Sequence, residues 1–286
     1  MPKPLTVSIV IPVYNEAALL GACLDAVARQ TEPPHQVIVV DNNSTDQTAS
    51  LAQSYDFVTL VSENRQGTMY ARTAGFCAAT GDIIGRIDAD TVLAPDWTMC
   101  VRTAFAKHPQ LDALTGGITY HSVSFPWLFN ALDTFYREAG IFLLGAETGL
   151  QGANMAIRRT AWLAVRDQTC VRTDYHEDLD LAIHLHEAGR SKMYAPQVRA
   201  AIVFRQACGT WRQHTQYTWA IVATYLRHGR KRAWCLAPGA FVLVMGYPLL
   251  AVLTKGYDAQ RQAFRWQSLL RRNNRLYTSP LRPMHK

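Results

Sequence analysis

Residues 82–91 read DIIGRIDADT. Isoleucine-rich Asp82–Ile87 has the length and β-branched composition of a buried strand. Three polar positions follow it at once, Asp88, Asp90 and Thr91. In an extended segment alternate residues share a side, so Asp88 and Asp90 point together, with Ala89 between them facing away. Upstream the same grammar repeats. Thr6–Val13 reads as a strand, and Glu16–Gln30 has helical spacing, with Leu19, Leu20, Cys23, Leu24 and Val27 on one side. Gln36–Val40 is a second strand. Ser44 offers an N-cap to a helix running through Ser54. Phe57–Val61 is a third strand, and Thr68–Ala79 is a helix of small residues closed by Gly81. This β-α-β-α-β-α-β order predicts an α/β fold, doubly wound, with a mainly parallel sheet covered on both faces. Ligands then belong at the carboxyl ends of the strands.

The second half is less regular. Leu111–Thr119, Asn154–Ile157 and Val198–Phe204 read as strands. Trp127–Leu144, Glu177–Ala188 (ended by Gly189) and Trp211–Arg227 read as helices.

Asp41 follows the second strand as Asp88 and Asp90 follow the fourth. Like charges repel, so carboxylates gathered at one sheet edge need a counter-charge. A divalent cation supplies it. Hard oxygen ligands suit magnesium or manganese, with water and phosphate oxygens filling the remaining positions. No GxxxxGK[ST] run is present, and no GxGxxG follows the first strand, which excludes a P-loop and a dinucleotide fingerprint.

The chain has 286 residues, 49% hydrophobic and 18% charged, which excludes a disordered chain and a small disulfide scaffold. Its net charge is +7, unevenly spread. Arg199–Lys286 holds fifteen bases against one acid, Asp258, whereas residues 1–198 hold fourteen bases and twenty-one acids. Within the basic part, the twenty-two residues from Ala233 to Thr254 carry no charge. That run is long enough to cross a bilayer, but Pro238, Gly246 and Pro248 would kink it and bases flank both ends. A helix lying on an anionic membrane surface fits as well as a span, and packing on the core or a dimer interface is the alternative. Gln260–Leu276 places Phe264, Trp266, Leu269 and Leu270 among arginines, the pattern of an amphipathic surface helix. The expected organisation is a catalytic domain over 1–228 and a basic, apolar helical segment over 229–286. The six cysteines, without a CxxC pair, read as reduced and mostly buried thiols of a cytosolic protein. The N-terminus reads as a strand rather than a signal peptide.

Several stretches together are similar to the family 2 glycosyltransferases of the GT-A fold. They are VSIVIPVYNE (7–16), VIVVDNNSTDQT (37–48), NRQGTMYARTAGFCAATGDIIGRIDADT (64–91), GANMAIRR (152–159) and HEDLDLAIHLHEAGR (176–190). They fall in the family's order, and the similarity fades after about Tyr217. The resemblance implies inverting transfer of a sugar from a nucleoside-diphosphate sugar, UDP being the commoner carrier. It implies that Pro12, Tyr14 and Glu16 contact the nucleoside and that Asp41 binds the base. Arg72 would stand by the nucleotide, although ARTAG has Thr73 where the family commonly has Asn. Asp88, Ala89 and Asp90 match the DxD motif that holds Mn2+ or Mg2+ beside the donor, Asp90 most directly. Asp178 in Glu177-Asp178 matches the catalytic base, helix capping being its other reading. Arg212 loosely fits a segment that closes over the diphosphate, and His176 would lie near the base. His184 and His186 fall on different helix faces and read as structural or solvated. A QxxRW motif is absent, which argues against a processive synthase. The expected acceptor is a lipid-linked or envelope glycan at the cytoplasmic face of the cell membrane.

Three other classes compete. A basic tail could bind nucleic acid, but its long uncharged run makes a poor surface for one, so no nucleic-acid partner is expected. A non-catalytic glycosyltransferase-like scaffold would not need Asp41, Asp88, Asp90 and Asp178. A nucleotidyltransferase would want a Gly- and Arg-rich loop where this chain has PVYNE.

Overall fold

The computed structural model describes residues 4–120, 127, 130–131, 134, 149–169, 176–203, 210–258 and 263–266. The chain divides into two compact units, one of residues 1–118, 146–173 and 177–201, the other of residues 119–145, 174–176 and 202–286.

The first unit is built on an eight-stranded sheet. In chain order its elements are β1 (Val7–Val13), α1 (Ala17–Ala28), β2 (Gln36–Asp41), α2 (Thr48–Gln53), β3 (Val58–Ser62), α3 (Thr68–Ala78), β4 (Ile83–Ile87), β5 (Val92–Leu93), α4 (Trp97–Lys107), β6 (Ala113–Tyr120), β7 (Asn154–Arg158), α5 (Arg159–Val165), α6 (Glu177–Glu187) and β8 (Lys192–Ile202). The strand order is β3-β2-β1-β4-β7-β6-β8-β5. The first four strands are parallel, as their alternation with helices requires, and β7 then pairs antiparallel with both β4 and β6. Both faces are buried. Ile9, Ile11, Val37 and Val39 look toward α1 and α4, and Val10, Ile38 and Val40 look toward α3, α5 and α6. That alternation is the two-residue period of the strand applied to runs apolar at every position.

Two close fits set the layers. A Cβ on Gly85 of β4 would lie 2.6 Å from the ring of Trp97, so the bare backbone makes room for the indole. The Trp97 Nε1–H donates to Asn154 Oδ1 (2.8 Å), and Asn154 Nδ2 donates to the carbonyls of Val198 (2.8 Å) and Gly117 (3.0 Å). Asn154 thus joins β7, β6, β8 and α4 with one fully buried side chain.

Some expectations change. The Ser44 cap is not made. Its hydroxyl accepts the Asn15 amide instead (3.0 Å), and α2 starts at Thr48, whose amide Asp46 Oδ1 takes (2.9 Å). The last long strand begins at Lys192 rather than Val198, its first half being broken by Pro196 and the polar Gln197 and mostly only half-buried or exposed. The helices α4 and α5 were not anticipated. The helix expected over 127–144 lies, but for four helical residues, outside the described residues. Of the four cysteines described, all free, only Cys23 is buried, and Cys77 and Cys235 are exposed. Cys170 and Cys208 lie outside the described residues.

The second unit contains α7 (Trp211–Arg227), a 3-10 turn (Lys231–Leu236), α8 (Ala237–Lys255) and a short antiparallel pair, β9 (Tyr257–Asp258) with β10 (Ala263–Phe264). The pair replaces the start of the amphipathic helix expected from Gln260, whose residues beyond 266 lie outside the described ones. The uncharged run is therefore divided between a turn and a helix. Among the described residues no helix is long and apolar enough to cross a membrane, so the span reading is not supported there. The buried side of α8 is a stripe of Ala240, Val244, Tyr247, Ala251 and Thr254, the spacing of one helix face. His214, Thr218, Val222 and Tyr225 form the corresponding buried face of α7. The His214 ring lies 4.8 Å from that of Tyr247, and its Nε2 meets the Leu243 carbonyl at 3.2 Å. Phe241, Val242, Met245 and Leu249 are exposed.

Asn154→Ala should lower unfolding free energy by about 3 kcal/mol, because it leaves an indole N–H and two carbonyls buried without partners. Urea denaturation checks this, and a loss under about 1 kcal/mol would show that the junction tolerates the change.

Candidate active site

Three loops at the carboxyl ends of β1, β2 and β3 are laced together by short polar side chains. Asn15 and Asn43 both take positive φ (54° and 63°), as Asn tolerates better than most residues. Asn15 Oδ1 accepts the Thr45 amide (2.7 Å), and the Glu16 amide donates to Thr48 Oγ1 (2.8 Å). The buried Asn42 donates to the carbonyls of Glu63 and Arg65 and accepts the Gly67 amide (2.7 Å). Gly67, at φ 142°, then opens α3. Around this frame Tyr14 is exposed, Pro12, Glu16 and Asp41 are half-buried, and Asp41 Oδ1 is buried with no hydrogen-bond partner among the described residues.

The turn after β4 is also pinned. Thr91 Oγ1 accepts the Asp88 amide (3.2 Å) and donates to the Ala153 carbonyl (3.2 Å), while the Thr91 amide donates to the Asp88 carbonyl (3.0 Å). Ala89 and Asp90 are buried, and the Asp88 side chain is 43% exposed. Beneath them lies Cys23. Burial, and then the nearby Asp90 and Asp88 carboxylates, push its thiol far above the ordinary range.

The sequence reading passed over Arg86. It stands on β4 among residues all buried and is itself buried. Its Nη2 donates to Asp88 Oδ1 (3.1 Å) and lies 2.7 Å from Glu177 Oε1. Arg72, expected beside a nucleotide, is wholly buried. Its Nη1 donates to the Glu177 carbonyl (2.6 Å) and lies 3.6 Å from Glu177 Oε2. Its guanidinium also lies 5.8 Å from the Trp162 ring. Two guanidiniums therefore grip one glutamate at the start of α6. The effect on them differs. Burial is the largest influence on both and disfavours the charge. At Arg72 it prevails and lowers the pKa, whereas at Arg86 the Glu177, Asp88 and Asp178 carboxylates outweigh it and raise the pKa. Gly152 closes the arrangement, since a Cβ there would lie 1.4 Å from Arg86 Nη1.

Asp178 follows Glu177 and is half-buried. Its Oδ2 accepts the Gly152 amide (3.0 Å) and its Oδ1 the Leu179 amide (2.8 Å). Asp178 therefore stands in the first turn of α6 with each of its two oxygens taking a backbone amide. Asp88, Asp178, Arg72 and Arg86 are joined in one chain of contacts through Glu177. Further along α6, His184 is buried beside Asp180, whose carboxylate holds the imidazole pKa above the ordinary value. In the second unit Arg212 is exposed on α7, and His176 stacks edge-on against Tyr217 with ring centres 4.4 Å apart. Arg86 could have been found as the one charge inside an apolar strand, a placement that demands partners.

The α/β fold with paired acids after β4 is the GT-A fold of glycosyltransferases. Residues 8–164 match the model of Glycosyl transferase family 2, and the chain belongs to that family. Among curated relatives, an N-acetylglucosaminyltransferase of Rhizobium sp. (strain N33) is 30% identical over 239 residues, covering 75% of this chain and 52% of that protein. A PGL/p-HBAD biosynthesis glycosyltransferase of Mycobacterium tuberculosis (strain ATCC 25618 / H37Rv) is 33% identical over 126 residues, 42% of this chain and 49% of its own. The chain spans about half the length of the curated relatives it matches. Among solved structures, a mannosyltransferase of Pyrobaculum calidifontis in complex with GDP-Man and Mn2+ superposes with TM-score 0.60 at 22% identity, covering 88% of this chain and 74% of that one. TarS 1–349 of S. aureus, in complex with UDP-GlcNAc, gives TM-score 0.54 at 17% identity, covering 78% and 67%. At these identities the likeness is one of fold.

The buried, protonated thiol gives a direct check. Iodoacetamide at pH 8 should modify Cys77 and Cys235 in the folded protein and leave Cys23 untouched until denaturant is added. Peptide mass spectrometry reads this, and early labelling of Cys23 would show that the turn above it opens.

Proposed function

We propose that the chain transfers a sugar from a nucleoside-diphosphate sugar, UDP-linked in preference to GDP-linked, to a lipid-linked or envelope-glycan acceptor, with inversion. The observation that carries this reading is the contact chain from Asp88 through Arg86 and Glu177 to Asp178. It joins a pair of acids suited to the donor with a carboxylate suited to the acceptor. Asp41, with a buried oxygen lacking a partner, would accept a hydrogen bond from the base, and exposed Tyr14, with Pro12 and Glu16, would flank the nucleoside.

The acids fit a magnesium or manganese ion. Asp88 and Asp90 offer hard oxygens, the ligand type that such ions prefer. Such an ion, when bound, offsets the charge that develops on the departing diphosphate. The remaining work falls to the chain. Asp178, oriented by two amide N–H groups, would take the proton of the acceptor hydroxyl as it attacks. One base on the face opposite the leaving group gives inversion, by the logic of inverting hydrolases. Arg86 and Arg72 offset the negative charge gathered around Glu177 and Asp178.

Membrane association is supported by α8. A helix with its large apolar residues exposed is unusual in water, and Arg227, Lys231 and Trp234 are exposed in the residues just before it. Apolar residues joined to basic and aromatic neighbours suit an anionic leaflet, such as the cytoplasmic one.

Asp90→Asn and Asp178→Asn should each lower transfer at least about a thousandfold while leaving the melting temperature within a few degrees. A panel of nucleotide sugars with and without manganese, read first by thermal shift and then by product formation, identifies the donor. Full activity in either variant refutes that residue's role. For the membrane, the chain should co-sediment with vesicles containing phosphatidylglycerol, and Leu249→Glu should release it. Equal partition of both proteins to the supernatant would overturn the association.

A further inference from the structure

We propose that Arg86 is a positioning residue that couples the acid pair after β4 to the turn carrying Asp178, by dividing one guanidinium nitrogen between Asp88 and Glu177. The inference rests on the reading of Asp88 and Asp90 as donor-side acids and Asp178 as the base.

Four observations lead to it. Arg86 Nη2 touches both carboxylates, at 3.1 Å and 2.7 Å. Its own place is fixed, because it projects from a wholly buried strand and Gly152 leaves no room even for a methyl group beside it. Glu177 immediately precedes Asp178 and is held from its other side by Arg72. Gly152, pressed against Arg86, gives its amide to Asp178 Oδ2 (3.0 Å). Arg86 therefore reaches Asp178 by two routes, through Glu177 and through Gly152.

A guanidinium between two carboxylates is attracted by each in proportion to the charge that each presents. When Asp88 turns its charge to a divalent cation, Arg86 loses part of that attraction and rests more fully on Glu177. The turn bearing Asp178 is then held more firmly when the donor side is filled. Such a coupling is reciprocal. Arg86 opposes a cation at Asp88 as a like charge, and Glu177 favours that cation by drawing Arg86 away.

The two partners must then act in opposite directions, which a purely structural role would not produce. Binding of Mn2+ alone is measured by electron paramagnetic resonance on the full chain. Arg86→Gln should tighten Mn2+ binding and Glu177→Gln should weaken it, each on the order of tenfold. In the double variant the Glu177→Gln effect should vanish, since the residue that transmits it is gone. Should Arg86→Gln alone fail to fold, the double variant still serves: it removes both charges of that pair, Arg72 keeps its hydrogen bond to the Glu177 carbonyl, and it should bind Mn2+ more tightly than the unaltered chain. Weakening by both single variants, or an undiminished Glu177→Gln effect in the double, overturns the coupling while leaving the acid pair as a cation site. Absence of Mn2+ binding by the unaltered chain overturns the reading of the acid pair itself, and the coupling with it.

Discussion

A full positive charge in the middle of a buried strand constrains everything near it. Arg86 cannot be hydrated, and an isolated ion in such a place costs several kcal/mol. The fold meets that cost with carboxylates, Asp88 from the turn just past the end of the same strand and Glu177 from a helix far away in sequence. The second requires α6 to start where it does. It also requires β7 to run antiparallel beside β4, because the loop before β7 supplies the glycine that lies on the guanidinium. An alanine at 152 would displace Arg86 and so disturb both carboxylates at once. The site is thereby part of the packing of the sheet rather than a set of side chains added at its rim.

The same constraint explains the crowding of acids at one strand end. Asp88, Glu177 and Asp178 would repel one another in an uncharged setting. Arg86 and Arg72, both buried, offset that repulsion. Their pKa directions differ because Arg86 meets carboxylates at 3.1 Å and 2.7 Å, whereas Arg72 meets Glu177 at 3.6 Å and also feels Arg86 as a like charge. Each still holds nitrogens without hydrogen-bond partners among the described residues. Buried donors in that state are costly.

Much of this was legible in the sequence. Asp41, Asp88 and Asp90 stand out because they end apolar strands, and a parallel sheet puts such ends on one edge. The motif stretches carried Asp178. Arg86 was overlooked because a strand reading counts apolar residues and tolerates one exception, although in a strand buried on both faces the exception has no solvent to point to. The partnership of Arg72 with Glu177 spans 105 residues, and no local pattern encodes it. The start of α2 was misplaced because Ser44 and Asp46 both suit a cap. The residue before α2 is Gln47, whose side chain makes no cap, while Ser44 is drawn to the Asn15 amide and Asp46 accepts the amides of Thr48 (2.9 Å) and Ala17 (3.3 Å).

The uncharged run from Ala233 shows where composition misleads. Twenty-two uncharged residues suggest a span by count alone, but the chain spends the first of them on a turn. In α8 the usual arrangement of sizes is inverted. Ala240, Val244, Tyr247, Ala251 and Thr254 are buried, and the bulkier Phe241, Met245 and Leu249 face outward at 59%, 54% and 67% exposure. Water gains nothing from that arrangement, whereas each buried methylene in an acyl phase is worth about 0.8 kcal/mol. Were the proposed membrane association due to charge alone, it would be reversible by salt. An apolar face of this kind would resist salt and yield to detergent, so the two contributions separate in a single washing experiment.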